Sequence, residues 1–391
     1  MKKNVLIFFL LFLLPLVLFA TGEQEQKSAG PVTLDLWYPA GEITSTSMPF
    51  RDNYNAWEEF EKANNCKINI IAVDYDTMQQ KLFTALAGGK APDIGFVDDS
   101  WMGGFMKDNT LVPIPEAAAK AWLSSVTPEI VSLSDWGGGK MYGFPSWGVD
   151  AYALTWNKDM FKAAGLNPDV APKYWDDFRQ ASKKTAVTEG GSLTRVGYAI
   201  RHLGKPHGIV DKWDWLLGSA GAKYNEDQYA LKGGRTIVNT PDVRKGLQMA
   251  KDMVYVDKST SLDFPDPRDC LLKGLASMQI SEVISIQVRA PREAPDLKWA
   301  FAPPPAMKAG TNPSVKTAAW NTVVFTQSKN KDLAMKAIMW YNNVENDYKH
   351  ATRYKSTPRY KENWEKEPLA SDPYIIQFKT LLPYGRPYPK S

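Results

Sequence analysis

The feature that most constrains this chain is a repeated switch in apolar spacing that runs once through the first hundred residues and then starts again. Val32, Leu34 and Leu36 alternate with Thr33, Asp35 and Trp37, the period-two spacing of a strand, and Pro39-Ala40-Gly41 ends it. Tyr54, Trp57 and Phe60 then recur at helical spacing within residues 52–64, and residues 67–73 return to strand spacing through Ile68, Ile70 and Ala72. Met78, Leu82 and Leu86 mark a helix stopped by Gly88-Gly89, and Ile94-Gly95-Phe96-Val97 reads as a short buried strand. Strand, helix, strand, helix, strand predicts a largely parallel sheet with helices on its faces, an α/β architecture. The pattern restarts with a strand over 151–156, a helix over 158–164 stopped by Gly165, and a helix over 175–185. Thr240-Pro241 supplies an N-cap and a first-position proline for a helix with Val243, Leu247, Ala250 and Val254 on one face. Another helix starts near Lys331 with Ala334, Ala337, Ile338 and Tyr341 inward, and beyond Pro358 periodicity fades.

Length then sets the domain count. The chain has 391 residues, and single cores stop growing beyond roughly 250 to 300, so two domains are expected. Met1-Lys2-Lys3 followed by an apolar run from Val5 to Phe19 reads as a secretory signal peptide over 1–22, cleaved near Ala20 or Gly22. The run is shorter than the roughly 20 residues that span a bilayer. Thr21, Gly22 and Glu23 stand where a lipid-anchored export signal needs Cys, so the expectation is a periplasmic protein without a lipid anchor. Residues 23–31 read as a flexible tether. The signal segment carries two of the 47 basic residues and no acid, leaving 45 basic against 43 acidic, a balance that points to neither nucleic acid nor an acidic partner. Cys66 and Cys270 lie far apart in sequence, where an exported protein could join them or leave them as free buried thiols, and neither metal nor cofactor is implied by so few Cys and His.

Several segments, in this order, resemble extracellular solute-binding protein family 1, the group of maltose-binding and multiple-sugar-binding receptors. They are Ala85-Leu86-Ala87-Gly88-Gly89-Lys90-Ala91-Pro92-Asp93-Ile94, Asp98-Asp99-Ser100-Trp101, Leu111-Val112-Pro113-Ile114, and Gly139-Lys140-Met141-Tyr142-Gly143-Phe144-Pro145. Residues 154–166, Tyr174-Trp175-Asp176-Asp177-Phe178, Gly274-Leu275-Ala276-Ser277-Met278 and Gln327-Ser328-Lys329-Asn330-Lys331 continue the series. Trp156 stands where the family usually has Tyr, and the chain stops at Ser391 where members continue past a segment like Arg386-Pro387 into another helix. The resemblance implies a type II periplasmic-binding-protein fold: two lobes, each a mainly parallel sheet flanked by helices, joined by a multi-strand hinge. It places residues 32–149 and 282–326 in lobe 1, residues 150–281 and 327–391 in lobe 2, and hinge crossings near 147–151, Ser281 and Thr326. It further implies a monomer that captures a small solute, a carbohydrate, and passes it to the membrane permease subunits of an ABC importer.

Fourteen tryptophans suit a sugar, whose apolar C–H faces pack on aromatic planes while its hydroxyls need polar partners. Trp57, Trp175 and Trp340 fall on amphipathic helices and read as core. Trp37 and Tyr38 sit at the carboxyl end of the first strand, where open α/β sheets bind ligands, with Glu42 in the loop that follows. Asp98, Asp99 and Trp101 follow the third strand, where one Asp is expected in the cleft and the other as a helix cap. Trp147 and Asp150 lie at the first crossing, serving either ligand or hinge. Trp213 and Trp215, two apart on a helix, cannot share a face, so one is expected in the core. Glu282 falls at the second crossing, and Trp320-Asn321 precedes the last strand where the family often has glycine.

Enzymatic signals are weak. His202, His207 and His350 have no metal-ligand spacing, and Gly137-Gly138-Gly139-Lys140 is followed by Met141 where a phosphate loop needs Ser or Thr, so it reads as a turn. A glycoside-processing enzyme stays open as an alternative because a carboxylate pair leaves no local motif. A receptor for a polyamine or phosphoester is the alternative within transport.

Overall fold

The structure of the protein is a computed structural model, which describes residues 30–39, 55–204, 206–223 and 237–387. Its strands are β1 (Val32–Pro39), β2 (Cys66–Val73), β3 (Ile94–Asp98), β4 (Phe144–Pro145), β5 (Asp150–Asn157) and β6 (Val187–Glu189). They continue with β7 (Ser192–Ala199), β8 (Ala276–Glu282), β9 (Trp299–Ala302), β10 (Val315–Ala318), β11 (Trp320–Val324) and β12 (Gly385–Arg386). One sheet has the order β2-β1-β3-β11-β4 and the other β12-β10-β5-β8-β7-β6, with β9 also on β5. The two-lobed α/β fold is as expected, but the sheets are mixed. β1 runs parallel to β2 and β3, whereas β11 runs antiparallel to β3 and β4. In the second sheet β5 is antiparallel to β8, β9 and β10, while β7 and β8 are parallel.

Local chemistry accounts for the framework. In β1, Leu34, Leu36 and Tyr38 turn to one buried face with Phe60 of the helix Glu58–Asn64 and with Trp57, the residue that precedes it. β3 is buried on both faces, as a central strand must be, and Gly95 is required there because a Cβ would meet the Phe325 ring at 2.7 Å. Thr240 caps the helix Pro241–Tyr255 by accepting from the Val243 N–H at 3.2 Å. The Gly137–Gly139 run is a turn held by Asp135 Oδ1, which accepts from the N–H groups of Gly137 at 2.8 Å and Gly139 at 2.9 Å. Cys66 and Cys270 are free and buried.

Two expected lobe boundaries differ in the structure. β9 and β10, within 282–326, pair with β5 in the second sheet. The reason is the helix Val283–Glu293, whose Ile286 and Ala290 pack on Leu271 and Leu272 and keep the chain in the second lobe. The crossing expected near Ser281 therefore falls at Ala319, between β10 and β11. Likewise the helix Lys331–Tyr341 packs under β11 in the first lobe, so the crossing expected near Thr326 comes later. The chain returns only after residues 359–363, which still pair with Ser124, Val126 and Val344 of the first lobe: the helix Pro373–Phe378 meets β9, with Gln377 Nε2 donating to the Phe301 carbonyl at 2.7 Å, and β12 joins β10.

The first crossing runs beside the segment that follows the helix Val344–Tyr354. Gly148 has φ +81°, and a Cβ there would lie 2.1 Å from the Thr357 carbonyl oxygen, so only glycine fits. Thr357 Oγ1 accepts from the Val149 N–H at 2.9 Å and donates to the Val149 carbonyl at 3.1 Å. Beneath them Arg359, which is 1% exposed, donates from Nη1 to the Pro145 carbonyl at 2.6 Å and also to Asn342 Oδ1. Asn342 Nδ2 donates to Thr322 Oγ1 at 2.8 Å, which in turn lies 2.8 Å from Ser146 Oγ.

Candidate ligand-binding cleft

Where the two sheets face each other lies a cleft of about 530 Å³, lined from both lobes. A hollow of about 500 Å³ elsewhere is bounded by residues of the second lobe alone, so hinge motion does not close it. Among the described residues no three His, Cys, Asp or Glu side chains gather as a metal site.

The first-lobe wall is aromatic. Trp147 stacks on Phe96 with ring centroids 5.3 Å apart, and Trp320 stands 5.8 Å from Trp147. Trp320 is braced edge-on by Trp101 at 5.5 Å and approached by Tyr75 at 5.8 Å. Asp98 ends β3 at the cleft and accepts from the Ser100 N–H at 2.9 Å. The floor holds Asp150, paired in register with Ala318. Asp150 Oδ1 and Trp147 Nε1 are both buried without a hydrogen-bond partner. Burial, reinforced by the Glu282 charge, pushes the Asp150 carboxyl well above the usual range.

The opposite wall is charged and internally paired. Glu282 faces Tyr152 across the β5–β8 ladder. Lys212 Nζ lies 2.6 Å from Glu282 Oε1 and 4.9 Å above the Tyr152 ring, whose hydroxyl donates to Asp211 at 3.3 Å. Ser281 Oγ donates to Glu282 Oε2, and Arg268 Nη1 lies 3.9 Å from that oxygen. Burial works against the Glu282 charge, but Lys212 and then Arg268 outweigh it and hold the carboxyl far below its ordinary value. Arg268 Nε also pairs with Asp266 at 2.9 Å, and Arg201 shares that carboxylate.

Five of the residues singled out from sequence therefore line the cleft: Asp98, Trp147, Asp150, Glu282 and Trp320. Others support it from behind. Tyr38 is buried with its ring 5.6 Å from Trp147, and Trp101 braces Trp320. Asp98 both caps the next helix and faces the cleft, whereas Asp99 is buried and accepts from the Ala319 N–H at 3.2 Å. Trp37 packs into the first-lobe core instead, and Asn321 is buried. Trp215 is core, edge-on to Phe178, and Trp213 donates from Nε1 to the Arg201 carbonyl at 2.9 Å. Glu42 lies outside the described residues. Tyr75, Tyr152, Arg201, Lys212 and Arg268 were missed. Period two from Asp150 points to Tyr152, and a four-residue helical step links Gly208 to Lys212, but nothing local marks Arg268.

This architecture defines a class, the two-lobed solute receptor, and known proteins share it. A solute-binding protein from Thermotoga lettingae, solved bound with alpha-D-tagatose, superposes with a TM-score of 0.77 at 23% identity, covering 92% of this chain and 89% of that one. The chain belongs to the bacterial extracellular solute-binding protein family, whose pattern matches residues 51–347. It is accordingly a binding protein rather than an enzyme. The arabinooligosaccharide-binding protein of Bacillus subtilis is 27% identical over 353 residues, 85% of this chain and 75% of that protein. A probable amino-acid ABC transporter periplasmic-binding protein of Sinorhizobium fredii is 24% identical over 307 residues, 76% and 67% of the two chains.

Proposed function

We propose that the protein is the exported substrate-binding component of an ABC importer. It captures a mono- or oligosaccharide between its lobes, closes, and delivers it to a membrane permease. The signal segment over 1–22 supplies export to the periplasm. The observation that carries the sugar reading is the pairing of unlike walls: Trp147 and Trp320, 5.8 Å apart, stand on one lobe, and the fixed carboxylate of Glu282 stands on the other. An aromatic plane takes the C–H face of a pyranose or furanose, and a fixed acceptor takes its hydroxyls. Asp150 Oδ1 and Trp147 Nε1 need one partner that donates and one that accepts, and a hydroxyl does both. The Bacillus subtilis relative's name agrees with a saccharide.

Closure follows from the same arrangement. A ligand that touches both walls binds the closed form better than the open one, so it shifts that equilibrium by its differential affinity. A thermal-shift screen of mono- and oligosaccharides, amino acids, polyamines and phosphoesters tests the reading, because a ligand of the native state raises its melting temperature. Stabilisation by a saccharide supports it. A shift produced by a non-sugar alone rejects it.

A further inference from the structure

Four cations line the cleft, Arg201, Lys212, Arg268 and Arg289, and on residue types alone the second lobe looks made for an anion. Their partners say otherwise. Arg289 is held by Asp269 at 2.7 Å and Glu293 at 2.6 Å. Arg201 and Arg268 share Asp266. Lys212, 4% exposed, and Arg268 bracket Glu282 from two sides, and Ser281 Oγ donates to the same carboxylate. Glu282 thus occupies the position between an ammonium and a guanidinium that a carboxylate or phosphate on a solute would otherwise take.

We infer that Glu282 is a specificity-determining residue: a built-in anion that fills the Lys212–Arg268 cation pocket, so the cleft accepts uncharged, hydroxyl-rich solutes and refuses anionic ones. This rests on reading the cleft as the solute site. The refusal has two sources. An incoming anion finds Lys212 and Arg268 already engaged by Glu282, and it meets like charge from Glu282 on one wall and Asp98 on the other. A neutral hydroxyl meets neither obstacle and donates to the Glu282 oxygens, which Lys212 and Ser281 hold in place.

The inference makes Glu282→Gln a switch. The amide keeps the size of the side chain but removes the charge, leaving Lys212 and Arg268 to recruit an anion. The test titrates wild type, Glu282→Gln, Glu282→Asp and the double variant Lys212→Met/Glu282→Gln with arabinose and its oligosaccharides, D-galacturonate, inorganic phosphate and acetate. Thermal shift and calorimetry report binding, and circular dichroism reports folding. Expected are no response of wild type or Glu282→Asp to galacturonate, phosphate or acetate, and anion binding by Glu282→Gln at least about tenfold tighter than wild type. The double variant, lacking the ammonium, loses most of that gain and supplies a folded comparison if the single variant is unstable. Binding of galacturonate, phosphate or acetate by wild type overturns the inference, as does a folded Glu282→Gln that still refuses all three. A wild type that answers a polyamine and no saccharide sinks the sugar reading but leaves anion exclusion standing.

Discussion

Arg359 Nε and Asp347 Oδ1 meet at 2.6 Å with their side chains 1% and 3% exposed, directly beneath the crossing from β4 to β5. Asp347 also accepts from the backbone N–H groups of Arg359 and Tyr360 and from Asn363 Nδ2. The pair is therefore satisfied on every side, and removing one partner strands the other in a dry site. Arg359→Met or Asp347→Asn is expected to cost about 3–5 kcal/mol of unfolding free energy, measured by urea denaturation. The double variant Asp347→Leu/Arg359→Met should recover part of the loss. Single variants within about 0.5 kcal/mol of wild type would show that the hub does not hold the hinge base.

Gly148 sets the geometry of the neighbouring crossing. With φ +81° and the Thr357 carbonyl 2.1 Å from a hypothetical Cβ, Gly148→Ala must either strain the backbone or push the Thr357 segment away from the first crossing. Destabilisation of more than about 1 kcal/mol is expected. Solute affinity should fall with it, because the first crossing carries Trp147 and Asp150 of the cleft. Unchanged stability by thermal melting would contradict this close packing.

His350 provides a pH signature. It is 3% exposed with both ring nitrogens unpartnered, and burial, then Arg359, holds its pKa down at about 3. In the unfolded chain the imidazole takes a proton near 6.5, while the folded protein refuses it until far lower. This histidine's contribution is therefore intact above 6.5 and is lost as pH falls from there towards 3, by at most about 1.4 kcal/mol per pH unit. Asp99 and Asp150, whose carboxyls burial pushes up, act with the opposite sign, so the comparison must be with a variant. His350→Phe, which breaks no hydrogen bond, should flatten the acid limb of the stability profile between pH 6.5 and 4. An identical limb in the variant would remove His350 as its cause.

The tryptophans divide by position. Trp320→Ala removes a cleft face and should weaken saccharide binding by about tenfold or more. Trp101→Ala, acting only by unbracing Trp320, should weaken it less. Trp57→Ala leaves affinity alone but costs about 3–5 kcal/mol of stability, since Trp57 is 0% exposed and stacked on Tyr341 at 4.3 Å. Calorimetry at equal folded fraction gives the order, and a larger affinity loss from Trp57→Ala than from Trp320→Ala would break the site assignment.

How much of this could be read in the sequence follows from the range of each signal. Elements with strict spacing, such as β1 and the helix Trp175–Thr185, were legible because burial on one face imposes period two or 3.6. The lobe membership of β9 and β10 was not, because pairing with β5 is a contact across more than a hundred residues. The site divides in the same way. Trp147 and Asp150 sit at the first crossing, which segment order reveals, whereas Lys212 and Arg268 matter only through Glu282, a partner in space and not in sequence. Trp37 shows the opposite failure: being at the carboxyl end of a strand fixes depth but not which face the ring takes, and its face packs into the first-lobe core.

The central claim, a hinged receptor for a neutral saccharide, is tested most directly by calorimetric titration of the purified protein with a panel of neutral mono- and oligosaccharides. The account predicts binding of a saccharide at one site per chain, accompanied by a smaller radius of gyration in solution scattering as the lobes close. Binding of polyamines, amino acids or phosphoesters with no response to any saccharide would contradict it.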